Sequence, residues 1–313
     1  MGFNIPWRKV GVVWGGPSRE REVSYRSAQN VATALQERGY EVYLLELSSN
    51  LPFQLKEKKV EVVFLATHGK WGEDGKVQGL LEVMGIPYTG SGVLASALAM
   101  NKLFSKKIWE REEIPTPPYQ EISSKNWRED VGKGIEKLGI PLVIKPVSEG
   151  SSIGVKIVDE KEVWNAVKGS LEEFGEVFLE AYIEGKEVTV GILGEGETLR
   201  ALPILELVPK EKFYNYSAKY TPGLTQFIIP ARLEKEVYSL TQEIAVKAHK
   251  ALGCSGFSRV DILVSNGIPY VHDLNTIPGL TSLSDLPKEA EACGISFPDL
   301  IEEILSYASY GKR

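Results

Sequence analysis

Four polar residues near the end of the chain are spaced to form a metal site. Arg259 and Asp261 alternate with apolar residues on one predicted strand, and Asp273 and Asn275 alternate on the next, with Asn-Gly in the turn at 265–267. Asn-Gly between two strands predicts a tight β-hairpin. Folding the chain about that turn brings Asp261 roughly opposite Asp273 and Arg259 roughly opposite Asn275, with all four side chains on one face.

Two opposed carboxylates repel each other unless a cation lies between them, because their Cβ atoms are about 5 Å apart. Two carboxylates and an amide oxygen are hard ligands of the kind that Mg²⁺ uses when it also binds substrate phosphates. A solvated sheet face is the alternative, but Val260, Ile262 and Leu274 fill the opposite face. The pattern favours a metal site, with Arg259 placed to neutralise charge in a transition state. The same alternation puts His272 on the apolar face, as a packed and hydrogen-bonded histidine.

A second stretch, VIKPVSEGSSIGV at 143–155, has the composition of a phosphate-binding loop. It is neither a Walker loop nor a dinucleotide fingerprint, because no Gly-Lys is followed by Ser or Thr and no G-x-G-x-x-G occurs. Since Lys145 precedes the glycines and a strand-like segment follows them, the stretch predicts a hairpin. Its tip at 149–154 is a flap able to place backbone N–H groups over a polyphosphate. A plain surface turn is the commoner fate of such clusters.

The first third of the chain must position a further pair of polar loops. Its strands are separated by helical segments, which predicts a parallel sheet with a ligand crevice beyond the carboxyl ends of the strands. Polar loops leave those ends at 15–20 and 68–75. The strands are expected at 9–14, 40–47 and 60–66, and a helix at 22–38.

Two further units are expected, at 91–183 and 184–313. The second of these contains a polar, tyrosine-rich segment at 209–226. This segment predicts a long loop, and loops of that length usually have a function or are disordered. Helices are expected at 91–112, 161–174 and 233–252, and strands at 177–183, 187–193 and 198–207.

The composition excludes several classes of function. Hydrophobic residues make up 43% and charged residues 25% of the 313 residues, as in ordinary soluble globular proteins with two or three domains. A formal net charge of -6 without a basic run argues against nucleic-acid binding and favours small-molecule substrates. Residues 1–13 lack the features of a secretory signal and no apolar run could span a membrane, so a cytoplasmic location is expected. Cys254 and Cys293 are expected to be buried free thiols.

Together these motifs resemble the D-alanine-D-alanine ligase family of the ATP-grasp superfamily, over nearly the whole chain. The matching stretches are GGPSREREVS at 15–24, HGKWGEDGKVQGLLEVMGIPYTGSG at 68–92, NK at 101–102, the stretch at 143–155, KY at 219–220, GFSRVDILV at 256–264 and LNTIPGLTSLS at 274–284. The resemblance implies an α/β (α+β) ATP-grasp fold with an N-terminal Rossmann-like parallel sheet. It implies a substrate-binding domain at 1–90, a central subdomain with the flap at 91–183, and a C-terminal subdomain with the metal site and an omega-type loop at 184–313.

Members of this family use ATP to ligate two D-alanine molecules through a D-alanyl phosphate, for peptidoglycan precursor synthesis. The resemblance therefore implies ATP, Mg²⁺ or Mn²⁺ with two ions, and a homodimer. D-lactate as the acceptor is an alternative, against which Lys219 and Tyr220 argue, because depsipeptide-forming relatives generally differ there. A non-catalytic ATP-binding regulator is another alternative, which would be expected to have lost some of Glu20, Lys145, Arg259 and Asn275. All four are present.

By resemblance, one set of residues binds metal and nucleotide. Asp261, Asp273 and Asn275 correspond to metal ligands. The family usually has glutamate in place of Asp273, and the shorter aspartate either draws the backbone closer or holds one ion more loosely. Lys102 and Lys145 would hold the ATP phosphates. The other nucleotide residues are Ser152 in the flap, Glu180, Ala181 and Ile183 at the adenine edge, Glu187 at the ribose and Lys219 in the long loop.

The remaining residues resemble an amino-acid site. Glu20, with His68 nearby, would anchor the ammonium of the first D-alanine. Arg259 and the backbone of Gly279 would stabilise the tetrahedral oxyanion, and Ser284 would receive the carboxylate of the second D-alanine. A hydrogen-bonded trio would join the N-terminal domain, the flap and the long loop: Glu20, Ser151 and Tyr220.

Overall fold

The computed structural model describes residues 5–209 and 225–312, which form a mixed α/β fold with three β-sheets. The largest apolar core joins the N-terminal sheet to helices from the end of the chain. Within the described ranges, no helix is both long and apolar enough to cross a membrane. Most of the predicted long loop, including Lys219 and Tyr220, lies outside the described residues.

The N-terminal part forms a parallel sheet from β1 (Lys9–Trp14), β2 (Glu41–Glu46) and β3 (Val62–Leu65), with helices α1 (Arg21–Glu37), α2 (Leu51–Glu57) and α3 (Lys76–Met84). The strand order is β2-β1-β3, which confirms the predicted parallel sheet. Val10, Val12 and Val13 of β1 are fully buried, as in parallel strands that are covered on both faces. Because β1 and β3 are neighbours, the loops after them, which hold Glu20 and His68, leave the same edge of the sheet.

The second sheet is antiparallel and contains the flap. It consists of β4 (Tyr119–Glu121), β5 (Leu142–Pro146), β6 (Lys156–Val158) and β7 (Val177–Ala181), in the order β4-β7-β5-β6. Strands β5 and β6 pair as a hairpin around the flap, as predicted. The predicted helical segment at 91–112 is two helices, because Asn101 starts a new helix by accepting a hydrogen bond from the Phe104 amide (3.1 Å). The helices are α4 (Val93–Met100), α5 (Lys102–Arg111), α6 (Trp127–Leu138) and α7 (Val163–Phe174).

The third sheet is also antiparallel and has the order β11-β10-β8-β12-β13, with β9 paired to β8. Its strands are β8 (Lys186–Gly194), β9 (Arg200–Ala201), β10 (Leu205–Pro209), β11 (Thr225–Ile228), β12 (Gly256–Ser265) and β13 (Ile268–Asn275). The prediction of one strand at 198–207 is wrong. The chain forms β9 and β10 separately, because Pro203 between them has no N–H group for a ladder. The helices are α8 (Lys235–Ala251), α9 (Asp285–Ala292) and α10 (Phe297–Ser306).

The β12–β13 hairpin has the predicted register at its functional end and a bulge beside it. Arg259 pairs with Asn275 and Asp261 with Asp273, as expected. The register then shifts, so that Ile262 pairs with Val271 and His272 is the extra residue on β13. A bulge lets two successive side chains lie on the same face. The prediction that His272 lies on the apolar face is therefore wrong.

The two cysteines differ in exposure. Both are free thiols, as predicted, but Cys293 is exposed because it lies just past the end of α9. Cys254 is half-buried, and burial raises the pKa of its thiol to about 12.

Candidate active site

Two adjoining cavities lie where the three sheets meet, and Asp273 lines both of them. The large cavity, about 530 Å³, lies between the second and third sheets, with Lys145 and Glu180 in its wall. The small cavity, about 70 Å³, is lined by Glu20 from the N-terminal part and by Arg259 from β12. Since the cavities share Asp273, a molecule bound in one lies next to a molecule bound in the other.

A buried ion triad supplies positive charge to the large cavity. Glu180 pairs with Lys145 and, at 2.6 Å, with Lys106. Burial alone would raise the pKa of Glu180, but the two ammonium groups lower it to about 2. Burial lowers the pKa of Lys106 to about 8, so that this lysine is still mostly protonated at pH 7. Because two lysines share one carboxylate, the triad has a net positive charge. Lys145, which lines the cavity, places that charge next to it.

Two further cations offset the opposed carboxylates of the hairpin. The Arg259 guanidinium donates two hydrogen bonds of 2.8 Å to Asp261. Lys102 Nζ lies 3.1 Å from Asp273 Oδ1. Burial would raise the pKa of Asp273, but Lys102 lowers it below its ordinary value. Asp273 is therefore held as an anion, in the form that binds a cation, and Asp261 is paired with a guanidinium.

The hairpin presents an oxygen donor set that suits a divalent cation. Asn275 Nδ2 lies 3.5 Å from Asp261 Oδ2, so the amide and the carboxylates are close together. The described residues contain no group of three or more His, Cys, Asp or Glu side chains spaced for a metal. Two carboxylates and an amide fit Mg²⁺ or Mn²⁺ better than softer ions.

His272 lines the large cavity beside these carboxylates. Its Nε2 atom is buried and has no hydrogen-bond partner among the described residues. Burial, reinforced by Lys145, lowers the pKa of His272 to about 4, so the ring is neutral at pH 7. Sequence alternation missed this residue because the bulge is not visible as a pattern.

The small cavity forms where the flap touches the N-terminal part of the chain. Ser151 Oγ donates a hydrogen bond to Glu20 Oε1. A Cβ atom on Gly150 would lie 2.8 Å from Glu20 Oε2, so a side chain at this position would displace the Glu20 carboxylate. The Glu20 side chain is buried, since the flap covers it.

The loop after β3 adds two residues to the small cavity. His68 is buried, and burial lowers its pKa, so its ring is neutral. Glu73 accepts a hydrogen bond from the Gly69 amide (2.6 Å), and burial together with nearby Glu20 raises the pKa of Glu73 to about 8. The sequence predicts this loop as a site loop but does not single out Glu73 within it.

The opposite wall of the small cavity is the turn before α9. Ser284 Oγ lies 2.8 Å from Thr281 Oγ1 and accepts a hydrogen bond from the Thr281 amide (3.0 Å). A Cβ atom on Gly279 would lie 2.7 Å from Ser284 Oγ, so the two residues are in close contact. Arg259 Nη1 also lies 3.5 Å from Asp285 at the start of α9. This wall therefore contains the Arg259 guanidinium, the Ser284 hydroxyl and the Gly279 backbone.

The structure brings the predicted site residues together. Each predicted residue within the described ranges lines one of the two cavities, whereas Lys219 and Tyr220 lie outside those ranges. Their individual roles stay predictions. The large cavity has Lys102, Lys145, Ser152, Glu180, Ala181, Ile183, Glu187 and Asp261; the small cavity has Glu20, His68, Ser151, Arg259, Asn275, Gly279 and Ser284; Asp273 lines both.

Comparison with known proteins identifies similar chains over the full length. The family described as "D-ala D-ala ligase N-terminus" matches residues 9–59 and 49–91, and "D-ala D-ala ligase C-terminus" matches residues 108–306. A D-alanine-D-alanine ligase of Desulforudis audaxviator is 45% identical over 303 residues, which cover 96% of this chain and 98% of that protein. The crystal structure of a D-alanine-D-alanine ligase from Bacillus anthracis has a TM-score of 0.84 and 39% identity, covering 96% and 97% of the two chains. A structure of the Bacillus anthracis ligase complexed with ATP has a TM-score of 0.82 and 37% identity, with the same coverage.

Proposed function

The chain belongs to the D-alanine-D-alanine ligase family, and we propose that it joins two D-alanine molecules into D-alanyl-D-alanine, with the cleavage of ATP to ADP and phosphate. The observation that carries this proposal is the pair of cavities that share Asp273. One cavity offers cationic groups for phosphates, and the other is small, charged and closed by the flap. A phosphoryl group can then pass from a nucleotide to a carboxylate held next to it.

The reaction has two steps. The carboxylate of the first D-alanine attacks the γ-phosphorus of ATP, which gives D-alanyl phosphate and ADP. The amine of the second D-alanine, after losing a proton, attacks the acyl carbon, and phosphate leaves from the tetrahedral intermediate. The protein's part is to position the reactants and to neutralise charge.

The large cavity is proposed to bind ATP. Lys102 and Lys145 would hold the phosphates, a role that suits compact ammonium groups. The net positive charge of the Lys145, Lys106 and Glu180 triad supports this placement, since Lys145 retains attraction for an anion while it pairs with Glu180. The flap would cover the phosphates with Ser152 and backbone N–H groups. The adenine and ribose would lie against Glu180, Ala181, Ile183 and Glu187.

The hairpin is proposed to hold Mg²⁺ or Mn²⁺, with two ions. Asp261, Asp273 and Asn275 would be its ligands, and the ion would neutralise the charge of the transferring phosphoryl group. Lys102 and Arg259 already balance the two carboxylates, so each must share its partner with the ion.

The small cavity is proposed to bind both amino acids. Glu20 would anchor the first ammonium beside neutral His68, and Ser284 would receive the carboxylate of the second D-alanine. Arg259 and the Gly279 backbone would stabilise the oxyanion of the intermediate. The hydrogen bond from Ser151 to Glu20 supports a closed flap over the reaction, which excludes water that would otherwise hydrolyse the acyl phosphate. Tyr220 is proposed as the third member of this contact.

Three broader statements belong to the same proposal. The product would serve peptidoglycan precursor synthesis in the cytoplasm, and the protein would act as a homodimer. The domains are proposed at 1–90, 91–183 and 184–313.

The test is phosphate release from Mg²⁺-ATP with D-alanine, L-alanine, or D-alanine plus D-lactate, with products identified by mass. Phosphate release and D-alanyl-D-alanine formation from the D-isomer alone are expected. Formation of a depsipeptide would show that the protein uses D-lactate as the acceptor. If the protein binds ATP but does not turn it over under any of these conditions, the result would instead favour the alternative of a non-catalytic ATP-binding regulator. Addition of EDTA should abolish turnover, and excess Mg²⁺ or Mn²⁺ should restore it.

A further inference from the structure

We propose that His272 contacts the bound nucleotide between its base and its β-phosphate; the proposal rests on the proposed function, since the ligand is the nucleotide of that reaction. The resemblance assigns no role to this residue, and strand alternation places it in the apolar core. The bulge in β13 instead turns it into the large cavity, next to Asp273.

The imidazole is a polar group that the described part of the protein does not satisfy. Its Nε2 atom is buried and has no hydrogen-bond partner in the described residues. Buried polar atoms nearly always have a partner, because an unmade hydrogen bond destabilises the folded protein. His249, another buried histidine, follows that rule, since its Nδ1 lies 2.7 Å from Ser258 Oγ. A ligand in the cavity can supply what His272 lacks.

The surroundings of His272 place it near the middle of a bound nucleotide. It lines the large cavity together with two pairs of charged residues, Lys145 with Glu180 and Asp261 with Asp273. In the first pair, Glu180 belongs to the proposed adenine edge and Lys145 is proposed to bind the phosphates. The second pair is the proposed metal site, where the terminal phosphates would lie. Since His272 shares the cavity wall with both pairs, the part of a nucleotide that we assign to it is the ribose and the α-phosphate, which join the base to the terminal phosphates.

An imidazole ring suits this position. The cavity already has Lys145 and Lys102 as cations for the phosphates. Imidazole adds one donor and one acceptor together with a flat ring, so it can hydrogen-bond a ribose hydroxyl or a phosphate oxygen without competing for the metal's carboxylates. A leucine of similar volume would keep the packing and lose the hydrogen bond.

The experiment compares His272→Leu and His272→Gln with the wild-type chain by calorimetric titration of ATP, ADP and AMP in Mg²⁺ buffer. His272→Leu should lower the binding affinity for all three nucleotides by a similar factor of about tenfold, because each nucleotide contains the ribose and the α-phosphate. His272→Gln, which keeps a donor and an acceptor, should recover most of the affinity. The KM for D-alanine should stay unchanged. His249→Gln is the matched control, since it alters a buried histidine outside the cavity, and its nucleotide affinity should equal that of the wild type.

Several results would overturn the proposal. Unchanged affinity in His272→Leu would show that the residue only packs. A loss confined to ATP would place it at the γ-phosphate, and a loss in His272→Gln as large as in His272→Leu would exclude a hydrogen bond. If wild-type protein turns over ATP with D-alanine while the variants bind normally, only this inference fails. If wild-type protein binds no nucleotide, the proposed function fails with it.

Discussion

The two cavities are built in different ways. The large cavity is lined by residues between Lys102 and Asp273, from the second and third sheets and the elements next to them, and its Lys145, Glu180 and Lys106 triad belongs to the second sheet and α5. The small cavity is assembled from distant parts of the chain: its contact between Ser151 and Glu20 joins residues 131 positions apart. The large cavity therefore forms where the second and third sheets pack together, whereas the small cavity also requires the N-terminal part to dock against the flap.

Asp273 is the exception to this separation, because it lines both cavities. A change confined to one cavity should affect one substrate, and a change at the shared residue should affect both. Variants can be ranked on that basis.

The largest effect is expected from Arg259→Ala in the small cavity. If the guanidinium stabilises charge that appears only in the intermediate, kcat should fall by about two to three decades with little change in the KM for ATP. Steady-state kinetics measures both constants. Arg26→Ala, which removes an exposed ion pair on α1, is the control and should leave both kcat and the KM for ATP unchanged. A kcat near the wild-type value would remove Arg259 from the oxyanion role.

The second prediction concerns the large cavity alone and compares two lysines of one triad. Lys145→Ala should weaken ATP binding by about 10- to 100-fold, since a charge-assisted contact is lost, while Glu180 keeps Lys106 as a partner. Lys106 is fully buried and does not line the cavity, so Lys106→Ala should mainly lower the free energy of unfolding, by about 3 kcal/mol. Nucleotide titration and urea unfolding measure the two effects. Equal losses of ATP affinity in both variants would contradict the separate roles.

A smaller effect is expected from Ser151→Ala, which removes the contact between the flap and Glu20. The KM for D-alanine should rise by about tenfold, because one hydrogen bond to a charged group is lost, and the KM for ATP should change less. Ser123→Ala, at an exposed serine that bonds Asp130, is the matched control. A shift confined to the KM for ATP would show that the flap serves the nucleotide alone.

The smallest effect is expected at the shared residue when its charge is kept. Asp273→Glu should retain activity within about threefold, since the longer carboxylate still lies between Lys102 and the metal site. Activity across a Mg²⁺ and Mn²⁺ titration measures this. Complete loss would mean that the site requires the shorter side chain.

Sequence alone predicted a large part of the fold and most of the described site. Alternation predicted the face shared by Asp261 and Asp273, because it is a local property of each strand. The pairing next to the turn, Ser265 with Ile268, would by itself place Asp261 opposite His272, and the bulge brings Asp273 to that position instead. The parallel N-terminal sheet followed from the order of strands and helices. The roles of single residues came from resemblance, and they stay predictions.

Tertiary structure alone decided the remainder. A bulge shifts the strand register by one residue and leaves no pattern in the sequence. The sequence therefore could not predict that the His272 side chain faces the large cavity. The pairing of Lys106 with Glu180 and the approach of Gly150 to Glu20 join segments far apart in the chain. Local periodicity determines which face of an element a side chain is on. Only the packing of one element on another determines what that side chain meets.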